Sequence, residues 1–231
     1  MIEMHGVNQL YGGAQILWDL NLDIAEGSST CIMGRNGVGK TTLLKCVMGL
    51  LPIQSGKILL ADEDYTRKPA EARAHSGIGY VPQGRDIFPM LTVQENLRLG
   101  LGARKDKAKH IPDKIFELFP VLADMLDRRG GDLSGGQQQQ LAIGRALVIE
   151  PKVLILDEPN EGIQPNIVKQ IGEVIRLLNE RDRITILLVE QKLAFARRVS
   201  NKFLLMEKGR FVAQGDMNEL SDELINKHLA V

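Results

Sequence analysis

Residues 34–41 read Gly-Arg-Asn-Gly-Val-Gly-Lys-Thr, and no other stretch so limits what the chain can fold into. Gly34, Gly37 and Gly39 let the backbone curl until successive N–H groups face one anion, and a helix opening at Lys40 adds its positive dipole end. Lys40 then reaches the β- and γ-phosphates of a nucleotide, and the Thr41 hydroxyl reaches the magnesium ion that bridges them. The motif needs a strand before it and a helix after it. Ser29–Met33 reads as that strand, and Thr42–Leu51 carries Leu43, Leu44, Val47, Met48 and Leu51 at helical spacing.

A chain of 231 residues with 44% apolar content can bury a sizeable core as one domain with at most a subdomain, so tandem nucleotide-binding domains are excluded. Lysine plus arginine and aspartate plus glutamate balance at 29 each, which removes a global field that would steer it to nucleic acid or an anionic membrane. No apolar run approaches a bilayer's thickness, and Met1–Gly6 lacks a signal-peptide pattern. The expectation is a cytosolic chain, or a peripheral one held by a partner. Cys31 and Cys46 fall on the core strand and the following helix, where two buried thiols are expected rather than a disulfide or metal site.

Met1–Asp23 alternates apolar and polar residues around Tyr11-Gly12-Gly13, predicting antiparallel strands. Further strands are expected at Lys57–Leu60 and Gly77–Val81. From Thr92 to Leu126 the periodicity is helical, with Val93, Leu97 and Leu101 on one face and then Ile115, Leu118, Phe119, Leu122 and Leu126 on another, and Pro120 is expected to break or restart the second helix. A helix then runs to about Ile149, followed by strand Val153–Leu156, a helix over Pro165–Asn179 and strand Ile184–Val189. Unbroken apolar strands alternating with helices imply a mostly parallel sheet covered on both faces.

About a hundred residues after the phosphate loop comes Leu133-Ser134-Gly135-Gly136-Gln137, and then Val153-Leu154-Ile155-Leu156-Asp157-Glu158-Pro159. With these three motifs in this order, essentially the whole chain resembles the ATP-binding subunit of an ABC transporter. The resemblance implies an α/β nucleotide-binding domain with a mostly parallel core sheet, an antiparallel β subdomain and an inserted helical subdomain. The boundaries expected are 1–91 and 150–231 for the core and 92–149 for the helical insert.

The same resemblance implies ATP and Mg2+ as ligands and ATP hydrolysis coupled to transport. Gly34, Arg35, Asn36, Gly37, Val38, Gly39, Lys40, Thr41 and Thr42 would cradle ATP, and Tyr11 would stack on adenine. Thr41, Gln83 and Asp157 would attend the metal, with Asp157 at the carboxyl end of a buried strand, where ligands of open α/β sheets bind. Glu158 would polarise the attacking water, beside Lys40 and Gln191. Leu133, Ser134, Gly135, Gly136 and Gln137 would grip the nucleotide of a partner subunit, so hydrolysis would need a dimer.

Two positions depart from the family pattern. Gln191 stands where most relatives place a histidine, and an amide can donate a hydrogen bond but carries no proton near neutral pH. Gln164 stands where an aspartate commonly crosses the dimer interface. Hydrolysis at the chain's own phosphate loop is therefore open in rate. His5, His75, His110 and His228 read as surface residues.

The Val189-Glu190-Gln191 ending and the Glu161–Pro165 segment resemble the second ATPase subunit of branched-chain amino-acid-type importers; Gly130-Gly131-Asp132 and the run Gln137–Gln140 resemble the urea importer's subunit. Partners implied are a paralogous ATPase subunit (or a homodimer in isolation), two membrane-spanning permease subunits and, indirectly, a substrate-binding protein, with no nucleic acid. The place implied is the cytoplasmic face of the inner membrane. Branched-chain amino acids or amides as cargo, and a soluble non-transport ABC ATPase, remain alternatives. Ile87, Phe88 and Met90 read either as contacts for a permease or as a cap on the local core.

Overall fold

The computed structural model describes residues 1–104 and 106–229. Strands β1 (Ile2–Tyr11) and β2 (Ala14–Ile24) pair antiparallel across the Gly12-Gly13 turn, and β4 (Ser55–Leu60) and β5 (Glu63–Asp64) extend this layer in the order β2-β1-β4-β5. A second sheet has the order β10-β9-β3-β8-β7-β6. In it β3 (Ser29–Met33), β6 (Ile78–Val81), β7 (Val153–Asp157), β8 (Thr185–Val189) and β9 (Lys202–Glu207) are parallel, and β10 (Arg210–Asp216) returns antiparallel beside β9.

The parallel strands are buried on both faces, which is why their sequences read as unbroken apolar runs. Alternate residues enter different cores: Cys31, Leu154, Leu156 and Leu188 pack with the helical side, whereas Ile32, Val153, Ile155 and Leu187 pack with the antiparallel layer and α1 (Lys40–Val47). Both cysteines are free and buried, and burial pushes both thiols up. A short helix α2 (Ala70–His75) leads into β6.

The segment after β6 is helical: α3 (Val93–Leu101), α4 (Lys114–Leu118), α5 (Pro120–Ala123) and α6 (Gly135–Leu147). Thr92 caps α3 in a reciprocal box with Glu95, and Pro120 ends α4 and opens α5 as the sequence predicts. The two apolar faces expected between Thr92 and Leu126 fall on separate helices, the first on α3 and the second on α4 and α5. The described residues between α3 and α4 are not helical, because Gly100 and Gly102 weaken the end of α3 and Pro112 lacks a donor. Arg104 instead fastens this connection to the carbonyl of Val148 at 3.0 Å and to Glu150 at 2.8 Å.

After β7 come α7 (Pro165–Glu180), α8 (Leu193–Val199) between β8 and β9, and α9 (Asp222–His228). His228 is corrected from a surface residue: its side chain is 11% exposed and its Nδ1 lies 3.0 Å from Glu207 Oε2. Among the described residues no helix is long and apolar enough to cross a membrane.

Candidate functional site

The phosphate loop hangs between the end of β3 and the start of α1. At Gly34 a Cβ would stand 2.3 Å from the Met206 carbonyl oxygen, and Gly37 and Gly39 have φ of +79° and +109°; all three positions require glycine. The loop borders an open cavity of about 870 Å3 to which Asn36, Lys40, Thr41, Gln83, Glu158 and Gln191 contribute. Lys40 is buried, and its Nζ donates to the carbonyls of Gly34 at 2.8 Å and Arg35 at 2.9 Å. Burial lowers its pKa, against the pull of Glu158 and Asp157. Thr42 lines the same cavity, whereas Gly34, Arg35 and Val38 do not, and Val38 packs against the core beneath the loop. Tyr11 is 67% exposed at the β1–β2 turn and does not line the cavity; Ile16 does.

The acidic side of the site comes from the ends of β7 and β8. Asp157 is 1% exposed, yet neither of its carboxylate oxygens has a hydrogen-bond partner. Burial, with help from the Glu158 charge, raises its pKa to about 6, against the Thr41 hydroxyl and Lys40. A buried, unpartnered carboxylate facing a threonine hydroxyl suits a cation. Among the described residues no group of three His, Cys, Asp or Glu side chains is placed to hold a metal.

Glu158 adopts a φ of +47°, and its N–H donates to the Val189 carbonyl at 2.9 Å, which turns its side chain over the cavity mouth. There Gln191 Nε2 lies 2.6 Å from Glu158 Oε1 and 2.6 Å from Asn36 Oδ1. A primary amide has two hydrogens, so it serves both acceptors at once. Gln83 donates from Nε2 to Glu161 Oε2 at 3.0 Å on the opposite rim.

Two site residues escape sequence reasoning. Glu190 is buried; its Oε1 accepts from the N–H groups of Gln191 at 2.8 Å and Lys192 at 2.9 Å, and its Oε2 accepts from Asn160 Nδ2 at 2.8 Å. The pair fixes the turn that carries Gln191. Burial raises the pKa of Glu190, opposed by those N–H donors. No local pattern betrays it, since the partners lie 30 residues apart.

The second glycine-rich loop stands elsewhere. Ser134, Gly135, Gly136 and Gln137 border a cavity of about 510 Å3 together with Gln140 and Gln164, and Gly162 is the one residue common to both cavities. Ser134 Oγ accepts from the Gln137 N–H at 3.4 Å and Gln137 Oε1 accepts from the Ser134 N–H at 2.9 Å, a reciprocal cap on α6. Leu133 is corrected: its side chain is buried in the core and does not line this cavity, because an apolar residue before a cap packs inward.

A parallel sheet carrying a phosphate loop, a buried strand-end aspartate and an adjoining glutamate defines a nucleoside triphosphatase. The ABC transporter family matches residues 17–161, and the chain belongs to that family. It is 39% identical to the high-affinity branched-chain amino acid transport ATP-binding protein BraG of Pseudomonas aeruginosa, covering 92% of this chain and 91% of BraG. It is 38% identical to the probable branched-chain amino acid transport ATP-binding protein LivF of Archaeoglobus fulgidus, covering 95% and 94%. The solved ATP-binding cassette MJ0796, a dimer bound to ADP and phosphate, superposes with a TM-score of 0.84 at 25% identity over 94% of this chain and 99% of that one. The ADP form of the cassette MJ1267 gives 0.82 at 28% identity, covering 98% and 97%. The chain is thus an ATP-binding subunit of the ABC class that hydrolyses ATP.

Proposed function

We propose that this chain powers an importer of small nitrogenous solutes, with urea as cargo. It sits at the cytoplasmic face of the membrane on two permease subunits that receive solute from a substrate-binding protein, and it pairs with a paralogous ATPase or, in isolation, with itself. The observation that carries the importer reading is the similarity to BraG over nearly the full length of both chains. Urea rests on narrower ground, the Gly130-Gly131-Asp132 lead and the Gln137–Gln140 run. Branched-chain amino acids are the second reading, favoured by what BraG and LivF are named for.

In the mechanism we infer, Lys40 leaves the Gly34 and Arg35 carbonyls for the phosphate oxygens of ATP. Thr41, Asp157 and Gln83 would hold Mg2+, which would supply positive charge against the phosphates. Glu158 accepts a hydrogen bond from the attacking water and takes up its proton; Gln191, unable to carry one, orients Glu158 by the 2.6 Å contact. Tyr11, exposed at the β1–β2 turn, stacks on adenine when nucleotide binds. Ser134–Gln137 of a second subunit supplies the missing wall, Gly135 and Gly136 turning first-turn N–H groups toward the γ-phosphate.

Uptake separates the cargoes. In cells lacking this chain, growth on low external urea fails and returns with the parent gene. Normal urea uptake with lost leucine uptake reassigns the cargo to branched-chain amino acids. Failure to co-purify with membrane-spanning chains removes the transporter reading altogether.

A further inference from the structure

Neither Gln138 nor the residues just after Gln83 have a structural role so far, and one side chain connects them. Arg85 donates from Nη1 to Gln138 Oε1 at 3.1 Å and from Nη2 to the Glu161 carbonyl at 3.2 Å. Glu161 also accepts from Gln83, two residues before Arg85. Gln138 donates onward from Nε2 to the Gly130 carbonyl at 3.2 Å, in the lead to the Ser134 loop. One guanidinium therefore bridges the loop after β6, the segment after Glu158 and the helix that Ser134 opens.

The bridge is held against backbone preference. Gly84, Arg85 and Asp86 have φ of +82°, +76° and +47°, a region unfavourable for Arg and Asp. Such a conformation persists only where its surroundings fix it. Arg145 does so from α6, donating from Nη2 to the Asp86 carbonyl at 2.7 Å with its guanidinium 5.2 Å from the Phe88 ring centre. Space around Arg85 is equally restricted: a Cβ on Gly135 would stand 3.2 Å from Arg85 Nη2.

Gln83 and Glu161 border the cavity at the chain's own phosphate loop, whereas Gly135 borders the other. A planar guanidinium fork fixes its two acceptors relative to each other. A shift of Glu161 must drag Gln138 with it or break a bond. We propose that Arg85 is a positioning residue that transmits nucleotide occupancy at the chain's own phosphate loop to the Ser134 edge, which serves the second nucleotide. This rests on the shared-site reading above.

The test is ATP hydrolysis against ATP concentration, with the ATPase partner of the assembly or, for the chain alone, where it self-associates. Arg85→Ala should keep the affinity for a fluorescent ATP analogue within about twofold, lower kcat about tenfold and bring the Hill coefficient toward one, as expected for losing charge-assisted hydrogen bonds that act on turnover. Arg85→Lys cannot span both acceptors and should regain kcat only in part. Gln138→Ala, which leaves the strained loop's sequence intact, should give the same loss, and the double variant should be no slower than either single one. Unchanged kcat and Hill coefficient in Arg85→Ala, or additive losses in the double variant, overturn the proposal. A matched fall in analogue affinity also overturns it, making Arg85 a binding residue. A parent protein without cooperativity instead fails the shared-site reading, and the Arg85 proposal with it.

Discussion

The two glycine-rich loops of this chain both open helices, yet they are finished differently. At Gly39–Lys40 no side chain caps the helix, the lysine folds back on its own loop, and the nearby Asp157 carboxylate is buried without a partner. At Ser134–Gly135 a capping box closes the helix end by itself. The first loop borders a cavity that, in the proposed mechanism, receives a phosphate and a cation; the second is complete without a guest and offers only first-turn N–H groups. The difference teaches that stability and chemistry are divided between them. The phosphate loop is prepared at the expense of the empty fold, whereas the Ser134 loop is a stable edge that gains a ligand only from outside.

The largest effect that would break this contrast lies at Glu158. Glu158→Gln should lower kcat by about a hundredfold or more, the range for a general base, while ATP affinity stays within about twofold of the parent. Turnover within a few-fold of the parent would remove Glu158 from the chemistry.

A smaller effect sharpens the contrast through stability. Burial raises the Asp157 pKa from 3.8 to about 6, so the folded chain holds this proton more tightly than the unfolded one. Its contribution to stability is therefore present below pH 3.8 and lost as pH rises through about 6. At pH 7.5 and without magnesium the ionised carboxylate costs the fold on the order of 3 kcal/mol. Asp157→Asn should raise Tm there by about 8 °C, and the gain should vanish toward pH 4. Ser134→Ala should do the opposite, losing about 1 kcal/mol with its cap at either pH. Calorimetry at the two pH values reads both; an Asp157→Asn variant no more stable than the parent at pH 7.5 contradicts the division.

Much of this was legible in the sequence where the determinants are local. The phosphate loop, β3 and β7 follow from glycine spacing and unbroken apolar runs, because those patterns specify backbone shape within a few residues. The two helical faces between Thr92 and Leu126 were legible too, but the extent of the connection between α3 and α4 was not, because the Arg104 contacts that fasten it to Val148 and Glu150 join residues far apart in the chain. Glu190 with Asn160, and Arg85 with Glu161 and Gln138, stayed invisible because each pairing joins elements far apart in the chain. Tyr11 was legible as a turn aromatic, while its 67% exposure, outside the lining of the cavity, is a tertiary fact. The resemblance implies that the Ser134 loop serves another subunit; its separate cavity is something only the fold displays.

The central claim is that each complete nucleotide site takes Lys40 from one subunit and Ser134 from another. Lys40→Ala and Ser134→Arg chains should each be inactive alone. Mixed, they form dimers in which one site joins the intact phosphate loop of the Ser134→Arg chain to the intact Ser134 of the Lys40→Ala chain. The decisive measurement is ATP turnover of that mixture, under conditions where the parent hydrolyses cooperatively and mixed dimers are shown to form. The account predicts that a substantial part of the activity returns, carried by one good site per mixed dimer. A mixture that stays inactive, or a parent that turns over as a monomer, would contradict it.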